Sequence, residues 1–116
     1  MCVASLPRNL TPEHVRETPD VQGVYTLWDG AECVYIGHTP RNISLRDRLR
    51  KLFELQQQGA IELSHFTWET TPTPKTREAE LVSQFVEKQG KVPRYNRPGS
   101  PLQLETTCVT DLRARL

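Results

Sequence analysis

Apolar residues dominate two short runs near the start of the chain, and polar residues separate the two runs. Residues 24–28 (VYTLW) and 33–36 (CVYI) are rich in β-branched and aromatic side chains, which favour extended structure. The dipeptide Asp29-Gly30 between them is typical of tight turns that join antiparallel strands. The pattern therefore predicts a β-hairpin.

The spacing of apolar residues becomes helical after Ser44. Residues on one predicted helix face then recur at intervals of three and four: Leu45, Leu49, Leu52 and Phe53. Ser44 is the predicted N-cap, because a serine hydroxyl can accept from a free backbone N–H of the first turn. We expect a helix of about 12 residues that ends before Gly59.

A third strand and a second long helix are predicted further along the chain. Residues 61–70 combine β-branched and aromatic side chains, so that Phe66 and Trp68 would share one strand face. Residues 71–75 contain two prolines and are predicted to lie outside regular structure. A helix then begins at Thr76 and ends at Gly90, with an apolar stripe formed by Ala79, Val82, Phe85 and Val86.

These elements predict a small α/β (α+β) fold, in which helices flank a three-stranded antiparallel or mixed sheet. A short helix is expected earlier, with Thr11 as N-cap and Pro12 at its first position. The predicted organisation is an N-terminal extension (1–19), one domain (20–98) and a C-terminal segment (99–116).

Composition restricts the classes of partner. Among 116 residues the formal net charge is only +1, so a nucleic acid would have to bind a local basic surface. The cysteines Cys2, Cys33 and Cys108 are odd in number and widely spaced, which argues against structural zinc and suits a reducing, cytoplasmic setting. The chain has neither the pattern of a signal peptide nor an apolar run of about 20 residues, so no membrane association is expected.

Polar residues near the ends of the predicted elements have the chemistry needed to cleave a phosphodiester. They are Tyr25 and Tyr35 on adjacent strands, Arg48 on the first long helix, Glu78 and Glu80 on the second, and Asn96 after it. A glutamate can bind Mg²⁺ through oxygen, and an arginine beside the metal can neutralise charge on the phosphate. A tyrosine oxygen could activate a water or attack directly.

The order of five short motifs resembles the GIY-YIG nuclease domain. "GVY" (23–25) is followed by "VYIG" (34–37), "LRDRL" (45–49), a glutamate-bearing helix and "PRYN" (93–96). The resemblance covers residues 20–98 and implies a metal-dependent endonuclease that hydrolyses DNA.

The resemblance also implies a role for each matching residue. Tyr25 would be the general base or a hydroxyl beside the phosphate, and Tyr35 would position the nucleophile or support that base. Arg48 would contact the scissile phosphate, with Arg46 as the alternative. Glu80 would bind Mg²⁺ or Mn²⁺, with Glu78 as the competing ligand, and Asn96 would support the site.

Further residues complete the predicted DNA surface. His38 follows the second tyrosine motif directly and could contact phosphate or carry a proton. The predicted contacts to the DNA backbone are Arg46, Arg50, Lys51 and Arg94. Many family members have His or Tyr one helical turn after the arginine, whereas this chain has Leu52.

Two other classes of function stay open at this level. The chain could be a nucleic-acid-binding module whose catalysis is weak or lost, as the low net charge and Leu52 suggest. It could also be the nuclease component of a larger assembly, because a 116-residue chain leaves little room for a sequence-reading element. A protein partner would then supply specificity.

Overall fold

The computed structural model describes residues 3–4, 6–97 and 102. Within them five strands are present: β1 (Val3–Ala4), β2 (Arg8–Asn9), β3 (Gly23–Asp29), β4 (Glu32–His38) and β5 (His65–Thr70). The three α-helices of the same residues are α1 (Pro12–Glu17), α2 (Leu45–Gln57) and α3 (Pro74–Gln89). A 3₁₀ turn, Arg94–Asn96, follows α3.

All the strands belong to one antiparallel sheet. β3 lies in the middle, between β4 and β5, and the two-residue strands β1 and β2 both pair with β5. The α+β class is therefore confirmed, but the predicted number of three strands is wrong. Strands of two residues are too short to show an alternating pattern, so β1 and β2 could not be predicted from periodicity.

The segment predicted as an N-terminal extension contributes to this same fold. Besides β1 and β2 it forms α1, whose Thr11 hydroxyl accepts from the His14 N–H as the N-cap. Leu10 and Val15 are buried in the hydrophobic core. The core also includes Leu102, although the rest of the predicted C-terminal segment lies outside the described residues.

A bulge in the hairpin determines which side chains share a face. Leu27 pairs with Tyr35 but Trp28 pairs with Cys33, so Val34 is an extra residue in β4. Tyr25, Leu27 and Tyr35 lie in the regular register and join the core beneath α2, whereas the bulge turns Cys33 to the face of Trp28, towards α3. The two tyrosines therefore lie on the same side of the sheet.

The helix α2 supplies the tightly packed layer. Its predicted N-cap is confirmed, since the Ser44 hydroxyl accepts from the Asp47 N–H. The leucines of the predicted apolar face, Leu45, Leu49 and Leu52, are completely buried. Leu52, at the position where many GIY-YIG proteins have His or Tyr, is thus a core residue.

The helix α3 covers the other face of the sheet less closely. None of residues 74–89, all of which the structure describes, is buried. Val82 and Phe85 of the predicted stripe are partly buried, but Ala79 and Val86 are exposed. A cleft of about 390 Å³ separates α3 from the sheet, with Leu81, Phe85, Trp28 and Ile36 among its walls.

Two predicted boundaries differ from the observed ones. The third strand begins at His65, after a loop that buries Ile61 and Leu63, because those apolar residues fill the core without joining the ladder. The helix α3 begins at Pro74, two residues before the predicted start, since the first helical turn tolerates a residue without an N–H. Its predicted end is confirmed, with Gly90 at a φ of 78°.

No helix within the described part of the chain is both long enough and apolar enough to span a membrane.

We expect the two helices to differ in their contribution to stability. Leu49→Ala should lower the free energy of unfolding by about 2–5 kcal/mol, because it opens a cavity in the core. The matched change Leu81→Ala in α3 should cost about 1 kcal/mol, because Leu81 is only partly buried. Equilibrium denaturation of both variants measures this difference, and equal losses would show that α3 is packed as tightly as α2.

Candidate functional site

The two tyrosines of the hairpin pack against each other. Their ring centroids are 6.0 Å apart and their planes are inclined by 36°, within the usual range for aromatic pairs. Gly37 pairs with Tyr25 across the strands. A Cβ atom at Gly37 would lie 2.5 Å from Cε2 of Tyr35 and 2.7 Å from the hydroxyl of Tyr25. The glycine of the second motif is therefore needed to make room for both rings.

The arginine of α2 binds the first tyrosine directly. Arg48 Nε donates a hydrogen bond to the Tyr25 hydroxyl at 2.9 Å. All three residues of this polar cluster are buried: Tyr25 is 1%, Tyr35 4% and Arg48 8% exposed. The first glycine motif keeps α2 close, because a Cβ at Gly23 would lie 2.8 Å from Leu45 and would collide with the Glu69 carbonyl oxygen.

The carboxylates of α3 make polar contacts at the same end of the hairpin. Glu78 Oε1 lies 2.9 Å from Nδ1 of His38, the last residue of β4. Arg77 bridges two acids, with Nε 2.7 Å from Glu69 Oε2 on β5 and Nη1 3.0 Å from Glu80 Oε1. These hydrogen bonds, first to Glu69 and then to Glu80, raise the pKa of Arg77, so Arg77 keeps its charge and helps to fix α3 on the sheet.

The predicted site residues thus form two groups on opposite faces of the sheet. Tyr25, Tyr35 and Arg48 face α2, whereas Glu78 and Glu80 extend from α3. The groups come nearest at the end of β4, where Gly37 contacts the tyrosine cluster and the next residue, His38, contacts Glu78. The structure therefore brings the tyrosines and Arg48 together. It places Glu78 and Glu80 on the opposite face of the sheet, on the helix α3.

Asn96 holds the outer edge of β4. Its side-chain oxygen accepts from the Ile36 N–H and its amide donates to the Ile36 carbonyl, both at 2.9 Å. These paired bonds satisfy an edge residue that has no strand beside it in the described sheet. Asn96 thus fixes the backbone next to Tyr35.

The neighbours of Asn96 fasten the same turn to other parts of the fold. Arg94 Nη2 lies 3.2 Å from Asp29 Oδ2 at the hairpin turn, and this hydrogen bond raises the pKa of Arg94. The Tyr95 hydroxyl accepts from the Glu62 N–H at 2.8 Å. The Arg94–Asn96 turn therefore links the hairpin to the loop before β5.

The predicted DNA-contacting residues have different surroundings. Arg46 Nε donates to the Thr18 carbonyl at 3.0 Å, which ties α2 to the end of α1. Arg50 is exposed and pairs with Asp47 at 3.3 Å, and Lys51 is exposed. Arg50 and Lys51 are thus accessible to a nucleic acid, whereas Arg46 and Arg94 are partly buried and tie together separate parts of the fold.

A divalent ion could be held by one carboxylate at this end of α3. No group of three or more His, Cys, Asp or Glu side chains converges among the described residues. The Glu80 side chain is 56% exposed, and within the described structure its only ion pair is the one that Oε1 makes with Arg77. A single exposed carboxylate fits Mg²⁺, because that ion keeps several of its waters.

The buried thiol near the cleft is unsuited to nucleophilic chemistry. Burial is the main cause that raises the pKa of Cys33 to about 11. The thiol therefore stays protonated at neutral pH.

The sequence did not reveal the contacts that connect α3 to the sheet. His38 and Glu78 were each considered, but their pairing spans 40 residues and depends on the tertiary fold. Arg77 was missed altogether. The sequence does contain a signal, because a basic residue, Arg77, lies close to the acidic residues Glu78 and Glu80 in the first turns of a helix.

Comparison with known proteins gives no relative from which a role can be transferred. No protein-family model, curated protein or solved structure matches the chain.

The hydrogen bond between Arg48 and Tyr25 can be tested by a double-mutant cycle. Tyr25→Phe and Arg48→Gln should show a coupling energy of about 1.5–3 kcal/mol in unfolding experiments, because the bond involves a charged donor in the core. The control pair is Tyr25→Phe with Arg50→Gln, since Arg50 lies on the same helix but is exposed. A coupling no larger than that of the control would contradict the observed contact.

Proposed function

We propose that this protein is a metal-dependent endonuclease that hydrolyses phosphodiester bonds in DNA by GIY-YIG-type chemistry. The observation that supports the proposal most is the contact between Arg48 and Tyr25, residues 23 apart in sequence. The motif resemblance expects these side chains in one site, together with Tyr35 and its glycine neighbour. A solvent-exposed arginine and two separate strand tyrosines would not have supported it.

Glu80 is the proposed metal ligand. A hydrated ion can reach its carboxylate more readily than that of Glu78, because the exposed fractions are 56% and 27%. Bound Mg²⁺ or Mn²⁺ would supply positive charge beside the scissile phosphate. Arg48, on the other face of the sheet, would hold Tyr25 and the strand end in place, and Asn96 would keep β4 and Tyr35 in position.

The burial of the tyrosines favours a second function, that of a nucleic-acid-binding module with weak or no catalysis. A phosphate can contact the Tyr25 hydroxyl only if groups around it move, because Tyr25 is 1% exposed. Binding through Arg50 and Lys51 would need no such movement. Salt-sensitive binding without metal, and without cleavage, would identify this function.

A protein partner that supplies specificity is proposed together with either function. Co-purification with such a partner, or cleavage that becomes selective only when it is added, would support this proposal.

The nuclease proposal predicts a specific loss in Glu80→Gln. With Mg²⁺ or Mn²⁺ the parent should cut at least one of plasmid, single-stranded, branched or flapped DNA. Glu80→Gln should reduce the rate by at least about 100-fold, because charge stabilisation by a metal contributes several kcal/mol. The control is Glu87→Gln, an exposed glutamate later in the same helix, which should cut at the parent rate.

Each other outcome has a definite meaning. Equal cutting by parent and Glu80→Gln would contradict the metal assignment. If the parent cuts none of these substrates, the nuclease proposal is contradicted and the binding module is favoured.

A further inference from the structure

The tyrosines are poorly placed to take a proton from an attacking water. Tyr25 and Tyr35 are 1% and 4% exposed, and the Tyr25 hydroxyl already accepts a hydrogen bond from the Arg48 cation. A general base that solvent can reach would therefore be another residue near the end of β4.

His38 is the nearest such group along β4. It directly follows Gly37, which lies against the Tyr25 hydroxyl. The side chain of His38 is 28% exposed, and that of its partner Glu78 is 27% exposed. Both are on the α3 side of the sheet, where the helix also carries Glu80. The imidazole is thus accessible to water on the side of the sheet that is covered by the helix of the proposed metal ligand.

The contact with Glu78 determines which ring nitrogen carries the proton. An ionised carboxylate can only accept hydrogen bonds, so Nδ1 must be the donor in the 2.9 Å contact with Glu78 Oε1. In the neutral ring Nε2 is then the acceptor. A carboxylate that orients an imidazole in this way is the arrangement that proton-accepting histidines use in hydrolases.

The charged groups near His38 come from α3 and from β5. Glu78 faces it from α3, and the next charges are those of Arg77, which are shared with Glu69 and Glu80. The residue opposite His38 on β3 is Val24, which is uncharged. Glu78 is therefore the single charged group that pairs with His38 among the described residues.

We propose that His38 is the general base of the hydrolysis, that Glu78 is its positioning residue, and that water attacks from the α3 side of the sheet. This inference rests on the proposed endonuclease function. His38 Nε2 takes a proton from water while the water oxygen forms a bond to phosphorus. The bond from phosphorus to the leaving sugar oxygen breaks, and that oxygen keeps the electron pair and takes a proton from solvent. The buried tyrosine cluster then acts as the support of the strand end.

The test is the pH–rate profile of DNA cleavage by the parent, His38→Gln, Glu78→Gln and the control His65→Gln. His65, the first residue of β5, is also a partly buried histidine, but its ring is hydrogen-bonded to the Ser64 hydroxyl. At about pH 7.5 we expect His38→Gln to lose 10²–10⁴-fold in rate and to lose the rise in rate over the range in which histidine gives up its proton. Glu78→Gln should lose about 10-fold, and His65→Gln should match the parent.

A second measurement is independent of cleavage. Long-range ¹H–¹⁵N spectra of the histidine rings should show Nδ1 protonated in His38 of the parent, and the tautomer balance should change in Glu78→Gln. Circular dichroism and unfolding midpoints verify that each variant is folded.

The outcomes separate this inference from the proposed function. If the parent and His38→Gln cut DNA with the same pH profile, the role of His38 is overturned and the nuclease proposal stands. A His38 ring protonated on Nε2 alone would also overturn it. If the parent cuts no DNA, the proposed function fails and the catalytic role fails with it.

Discussion

A buried arginine paired with a tyrosine hydroxyl is the constraint on which the arrangement of this fold depends. A guanidinium that is 8% exposed must be hydrogen-bonded, because an uncompensated charge in the interior costs several kcal/mol. The bond from Arg48 to Tyr25 therefore fixes the rotation of α2 relative to β3. The two glycine positions follow from this: Gly23 allows α2 to approach, and Gly37 leaves space for both tyrosine rings. Close packing, rather than chemistry alone, explains why each motif contains a glycine two residues from its tyrosine.

The sheet divides the polar residues into a buried set and an accessible set. The buried set beneath α2 is rigid, since it is enclosed by the leucines of α2 and by Phe66. The accessible set lies at the start of α3, a helix that contributes no buried residue within its described length. Glu78 contacts His38 on β4, and Arg77 pairs with Glu69 on β5. These contacts hold α3 in place together with the partly buried side chains of Leu81 and Phe85. The first set is therefore placed to support the strand end, and the second set is in contact with solvent.

Local patterns predicted the hairpin, the two N-caps and the cap at Gly90, because each depends on neighbouring residues only. The same is true of the apolar face of α2. The two-residue strands escaped prediction, since pairing with β5 is a tertiary event without periodicity. The motifs placed Tyr25, Tyr35 and Arg48 in one cluster, as the structure has them. They did not predict that α3 lies on the opposite face of the sheet. The His38–Glu78 pair follows from that placement, and the tyrosines are buried by the packing of α2, so both features depend on the tertiary fold.

In the proposed mechanism the reactive centre lies on the α3 side of the sheet, at the end of β4. Paramagnetic broadening of backbone amide signals by Mn²⁺, with Mg²⁺ as the diamagnetic reference, tests it most directly. We expect selective broadening at residues 78–82 and at Gly37 and His38, and its loss in Glu80→Gln. Broadening centred on the acidic hairpin turn at Asp29 and Glu32, or uniform weak broadening, would contradict a metal site on α3.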